Sequence, residues 1–176
     1  MEEFMTYTEE FESSLRDQNR SKHTIKSYLS DLKQFEIWLK GTYGEVELKP
    51  TIITKLDVAH YKTHMLTVGQ RKPSGVNRAL SSIVAFCDWA QIKGYIQENP
   101  ATVISWAKQV KNPPKSLSEL EQNRLLREVY KSNNKRDIAI VELMVGAGLR
   151  IGEVESLNLS DIELKDRKGM FIMVRK

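Results

Sequence analysis

The stretch "SKHTIKSYLSDLKQFEIWLKGTYG" at residues 21–44 constrains the fold more than any other part of the chain. Ile25, Tyr28, Leu29, Leu32, Phe35 and Leu39 recur at three- and four-residue spacing, which lines them along one side of an α-helix. Ser21 or Thr24 can cap the start of that helix, and Gly41 or Gly44 can end it. Lys22, Lys26 and Lys33 fall off the stripe. A long helix with one apolar face owes its stability to what packs on that face, so neighbouring segments must supply partners.

Partners are readable on both sides. Thr8 to Asp17 reads as a first helix, with Phe11 and Leu15 one turn apart. Another begins near Thr54, whose hydroxyl can accept from the Asp57 amide, and buries Val58, Tyr61 and Met65. "GQRKPSG" at 69–75 is a loop by its Gly, Pro and Ser content. Ser74 is the expected cap of a long helix reaching about Lys93, with Leu80, Ile83, Val84 and Cys87 inside and Gly94 closing it. "QENP" reads as a turn and "ATVISWAK" as one more short helix. The expected product is an all-α bundle of about a hundred residues with antiparallel neighbours.

The pattern breaks at "QVKNPPKSLSE", residues 109–119, where two prolines forbid helix and no apolar residue follows Val110 until Leu117. This reads as an exposed linker. Ser118 and Glu121 then form a capping box for a helix to about Lys131, and a further helix runs from about Arg136 to Val145. "GMFIMVRK" at 169–176 is short, apolar and β-prone, so it reads as a strand, one without an evident partner.

Composition excludes several classes. The 176 residues hold no apolar run near the ~18 needed for a membrane helix. The acidic opening "MEEFMTYTEEFESS" is unlike a secretory leader. One cysteine, Cys87, and three scattered histidines give neither an internal disulfide nor a metal-ligand cluster, and a reduced, cytoplasmic setting is expected. The formal charge is +4 and the pI about 9.1, unevenly spread. Residues 1–15 carry five acids and no base. Residues 71–115 carry seven bases and two acids, an excess of +5. Such a surface suits a polyanion, or is simply a solvated helical face.

Two clusters have the chemistry of a nucleic-acid contact: cations for phosphates and short polar groups for base edges. Arg20, Ser21, Lys22, His23, Thr24 and Lys26 open the second helix. Arg71, Lys72, Ser74, Asn77 and Arg78 open the fourth. Lys111 and Lys115 lie on the linker. Trp89 and Trp106 read as core or domain-seam residues rather than stacking platforms.

The remaining candidate lies in "GAGLRIGEVESLNLSDIEL" at 146–164. Two readings fit. Gly146 and Gly148 can end one helix and turn the chain, leaving Arg150 paired with Glu153 on the surface. Or the turn holds Arg150 at the start of the next helix as an anion grip, its planar fork matching two phosphate oxygens. Glu153 would then fix the guanidinium from behind, and Leu149, Val154 and Leu157 would anchor the seam. The glycines do not make a dinucleotide fingerprint, since the third glycine is missing and the preceding segment is helical.

This segment resembles the one that carries the first catalytic arginine of the tyrosine recombinase (phage integrase) family, through Gly148, Leu149, Arg150, Glu153, Leu157, Asp161 and Ile162. Upstream, Thr24, Tyr28, Asp31, Leu32 and Phe35 match the family's Thr-x-x-x-Tyr-x-x-Asp-Leu-x-x-Phe pattern. "NRALSSIVAFCDWAQIKGYIQENPA" resembles the last long helix of its core-binding domain and the following Asn-Pro turn. "PPKSLSELEQNRLL" resembles its linker and the opening helix of its catalytic domain. The resemblance implies a mainly α fold, with a helical-bundle (SAM-like) core-binding domain over 1–110, a linker over 111–117, and over 118–176 the N-terminal part of an α+β catalytic domain that ends in a strand.

It further implies that Arg150 contacts the scissile phosphate, that Glu153 supports it, and that Lys176 is the general acid on the departing 5′ oxygen. The expected partner is double-stranded DNA, with self-association on DNA in the intact enzyme. No metal and no cofactor is implied, because a 3′-phosphotyrosyl intermediate conserves the phosphodiester energy. The family's His-x-x-Arg motif and nucleophilic tyrosine have no match here, so the active site of this chain is incomplete. A stand-alone DNA-binding or regulatory module and a helical protein-interaction domain stay open as alternatives.

Overall fold

The computed structural model describes residues 6–45, 47–110, 113, 115–164 and 170–172. Its contacts separate two units, residues 1–111 and 112–176. Among the described residues the first holds four helices: α1 (Tyr7–Asp17), α2 (Lys22–Tyr43), α3 (Lys55–Thr67) and α4 (Pro73–Ile92), with a short 3-10 turn at Pro50–Ile52.

Caps decide where these helices begin. Thr6 caps α1 and Thr54 caps α3, each in a reciprocal box with the residue three positions on. Ser21 caps α2 by accepting from the Thr24 amide at 3.1 Å. For α4 the expected cap is wrong: the cap position is Lys72, Pro73 fills the first turn, and Ser74 lies inside the helix. Proline at this position has a preset φ and no N–H to satisfy, so it starts the helix without a side-chain acceptor. At the other end Gly94 (φ +78°) lets the Tyr95 amide return to the Ala90 carbonyl at 2.9 Å.

The apolar stripes meet as the spacing predicts. Leu32, Phe35 and Leu39 of α2 pack with Val58, Tyr61 and Met65 of α3, and with Leu80, Ile83 and Phe86 of α4, in one buried cluster. Each such side chain contributes about 1.5–3 kcal/mol of transfer free energy. Phe11 brings α1 in by an edge contact to Phe86, with centroids 5.4 Å apart. Trp89 joins this core, whereas Trp106 is 53% exposed. The lone Cys87 is buried in α4, and that burial, reinforced by Asp88, pushes its thiol up to about 12.

"ATVISWAK" is not a helix. Residues 101–103 turn and 104–110 run without regular structure. The reason is local. The amide of Asn77 reads the Ala107 backbone from both sides, its Nδ2 donating to the Ala107 carbonyl at 3.0 Å and its Oδ1 accepting from the Ala107 amide at 2.8 Å. The Lys62 ammonium donates to the Ser105 carbonyl at 2.6 Å. Side chains thereby satisfy the backbone groups a helix would have paired.

The second unit contains α5 (Glu119–Lys131), α6 (Lys135–Gly146) and the five-residue α7 (Ile151–Glu155), then β1 (Ile162–Leu164) and β2 (Met170–Ile172). The capping box Ser118–Glu121 opens α5, and Asn134 caps α6. The strand read near the chain end finds a partner: β2 pairs antiparallel with β1, Phe171 opposite Glu163. Among the described residues of this unit no hydrophobic side chain is buried. No described helix is long and apolar enough to cross a membrane.

Candidate nucleic-acid interface

Both basic clusters of the first unit are entered through a left-handed residue that ends the preceding helix. Asn19 (φ 55°) precedes Arg20, and Gln70 (φ 44°) precedes Arg71. Such turns reverse the chain within a residue or two and place the next cation at a helix entrance.

In the first cluster the hydroxyls and the cations divide the work. Ser21 and Thr24 bond each other at 2.9 Å and close the end of α2. Arg20, Lys22, His23 and Lys26 are exposed. Arg20 also lines a surface cleft of about 260 Å³ with Lys93, from the far end of α4, and with Asp88. Lys93 is therefore a cation of this cluster that sequence separation concealed.

The second cluster behaves differently. Lys72 and Ser74 are exposed beside a helix start with no side-chain cap, so the leading amides of α4 remain open to an anion. Arg71 is half-buried, in a cleft of about 480 Å³ with Trp38, Tyr61 and His64. Asn77, expected at a base edge, is engaged with Ala107 on both sides of its amide. Arg78 donates from Nη1 to Oδ2 of Asp31 at 2.8 Å, while 54% of its side chain stays exposed. The two clusters do not share one helix end. Arg20 lies beside the C-terminal part of α4, and Arg78 beside the middle of α2.

In the second unit Gly148 (φ +69°) makes the turn after α6, a backbone state in which a Cβ would be strained. Arg150 is then the cap residue of α7. Its amide donates to Glu153 Oε2 at 2.7 Å and its Nη1 to Oε1 at 3.1 Å. The backbone bond and the guanidinium, against partial burial, hold the Glu153 carboxyl below the usual range. Arg150 is thus tethered on one side while its side chain stays 85% exposed. Glu153 occupies the Arg150 amide, which leaves the guanidinium as the exposed donor group of that residue. Leu149, Val154 and Leu157 are half-buried rather than core anchors. Lys115 is exposed ahead of α5. Lys111 and Lys176 lie outside the described residues.

Comparison with known proteins fits this architecture. Residues 8–94 match the family model "Phage integrase, N-terminal SAM-like domain". The TnP I resolvase of Bacillus thuringiensis is 27% identical over 163 residues, 92% of this chain and 56% of that protein. Tyrosine recombinase XerC of Vibrio cholerae serotype O1 is 33% identical over 151 residues, 83% of this chain and 46% of that one. A lambda integrase dimer solved bound to a COC′ core site shares the fold, with a TM-score of 0.66 at 19% identity, covering 94% of this chain and 47% of that one. The chain belongs to the tyrosine recombinase (phage integrase) family, and spans about half the length of the curated relatives it matches.

Proposed function

We propose that this chain is the DNA-clamping portion of a site-specific DNA recombinase, in which residues 1–110 are the core-binding domain, 111–117 the linker and 118–176 the beginning of the catalytic domain. The observation that carries the reading is Arg150, an exposed guanidinium held from one side by Glu153 after a left-handed glycine turn. A fork so tethered keeps an open edge for two oxygens of a scissile phosphate, where a fixed cation stabilises the charge that builds in phosphoryl transfer. Lys176 takes the general-acid position by the family pattern. The nucleophilic tyrosine belongs to a part of the intact enzyme outside this chain, and strand cleavage would pass through a 3′-phosphotyrosine.

The first unit supplies phosphate contacts of its own. Arg20, Lys22, His23, Lys26, Arg71, Lys72 and Arg78 face phosphates, joined by Lys93, with Lys111 and Lys115 following the backbone along the linker. Ser21 and Thr24 shape the entrance of α2, and Ser74, exposed in the first turn of α4, adds a polar contact to the DNA. Duplex DNA is the partner, self-association occurs on DNA in the intact enzyme, and the setting is cytoplasmic.

Anisotropy titration of a mixed-sequence DNA duplex at two salt concentrations tests these contacts. Binding that weakens steeply with salt is expected. Weak, salt-insensitive binding would instead leave a helical protein-interaction domain standing. In the intact enzyme Arg150→Ala is expected to abolish cleavage of a nicked substrate while site binding persists, and an active Arg150→Ala enzyme would remove the catalytic assignment.

A further inference from the structure

Asp31 lies in the middle of α2, faces α4, and is 2% exposed. An acid placed there is a poor choice for stability alone, since an apolar residue of similar size packs without desolvating a charge. Its Oδ2 accepts two bonds from α4. One comes from Arg78 Nη1 at 2.8 Å and the other from Ser82 Oγ at 2.9 Å. Ser82 is itself fully buried, and its hydroxyl also reaches the Arg78 carbonyl at 3.3 Å. The carboxylate is therefore fixed by a rigid hydroxyl and in turn fixes one corner of the guanidinium. Arg78 makes no second side-chain bond among the described residues, and just over half of its side chain faces solvent. A guanidinium carries five N–H donors, so the outward edge remains available.

We infer that Asp31 and Ser82 are positioning residues that aim Arg78 at a DNA phosphate, a role that rests on the DNA-clamping reading above. A free surface arginine must be immobilised when it binds, whereas one aligned during folding has already lost that rotamer freedom. The same carboxylate cancels the charge of Arg78 at long range. Arg78 then contributes only where a phosphate meets its outward edge, which favours a docked register over loose attraction.

The positioning role predicts a sign that electrostatics alone does not. Asp31→Asn removes a buried acid that lies directly beneath the cation Arg78, so a purely Coulombic account expects tighter binding. Aiming expects weaker binding, by about tenfold. The measurement is anisotropy of the full chain with a mixed-sequence DNA duplex across a salt series, with thermal melts to track folding. Arg78→Ala is expected to weaken binding and to lower the salt slope by about one. Asp31→Asn added to Arg78→Ala is expected to cost nothing further.

Unchanged or tighter binding by Asp31→Asn, or a loss that persists in the Arg78→Ala background, overturns the inference. If Asp31→Asn does not fold, Ser82→Ala serves instead, with an expected two- to threefold loss that vanishes without Arg78. No loss there also overturns it. A wild-type chain that ignores DNA takes down the clamp reading as well. A wild type that binds with salt sensitivity, alongside an indifferent Arg78→Ala, takes down only the aiming role.

Discussion

The two units are built with the same local devices and differ in what those devices enclose. Thr54 and Asp57 box the start of α3, and Ser118 and Glu121 box the start of α5 with the same bonds. In the first unit the boxed helices close over Phe35, Ile83 and Phe86, none of which retains solvent exposure. In the second, Leu120, Leu125, Met144 and Ile151 stay exposed, and a groove of about 610 Å³ lies open among Leu126, Ala139, Leu143 and Ile162. Caps set where a helix starts, and burial decides whether it persists. The first unit has both, and the second has the caps.

The largest expected effect follows directly. Phe35→Ala should destabilise the first unit by about 3–5 kcal/mol, whereas Leu143→Ala in the open groove should cost under about 1 kcal/mol. Urea unfolding followed by circular dichroism measures both, and equal costs would erase the contrast. A second measurement divides the molecule. Residues 1–110 alone should keep a cooperative melt, while amides of α5 and α6 should exchange with deuterium far faster than those of α2 and α4.

Next comes acid sensitivity. Burial pushes the Asp57 carboxyl up, but hydrogen bonds from the Thr54 side chain, the Tyr43 hydroxyl and the Thr54 backbone outweigh it and leave it below the ordinary value. A depressed carboxyl contributes stability above its unfolded pKa of about 3.9 and loses that contribution as pH falls through the folded value. The gap in stability between wild type and Asp57→Asn should therefore be full at neutral pH and close as pH drops below about 4. Acid titrations of both proteins test this. The smallest effect is at the matching box of the second unit. Ser118→Ala should cost about 0.5–1 kcal/mol of local helix stability, visible as faster exchange at the start of α5 with little change in the global melt.

The same division explains what could be read from sequence. Ser21, Thr54, Ser118 and Gly94 announce helix ends through chemistry that reaches only a few residues, and the structure puts each where the sequence predicts. The stripe of α2 likewise carries its own period. One misreading is local, and the others come from distance. Ser74 looked like a cap because its hydroxyl was the nearest acceptor, but Pro73 starts α4 without one. "ATVISWAK" has helical spacing, yet Asn77 and Lys62, at least thirty residues earlier, hold its backbone in another shape. Asn77 looked like a base reader for the complementary reason, since the Ala107 backbone it grips is remote in sequence. Asp31 belongs to a sequence pattern of α2, but its bond to Arg78 spans 47 positions and has no local signature. The placement of Lys93 beside Arg20 likewise depends on how α2 and α4 run past each other.

The buried thiol of α4 has a practical sequel. Because the single native sulfhydryl is screened from solvent and protonated across the working pH range, the folded molecule offers maleimides and mild oxidants almost nothing to react with. A cysteine introduced at an exposed cation such as Lys26 would then be the sole reactive handle. Fluorophores or spin labels could be attached there without first mutating the core, and any labelling of the unaltered protein would report that its helices had come apart.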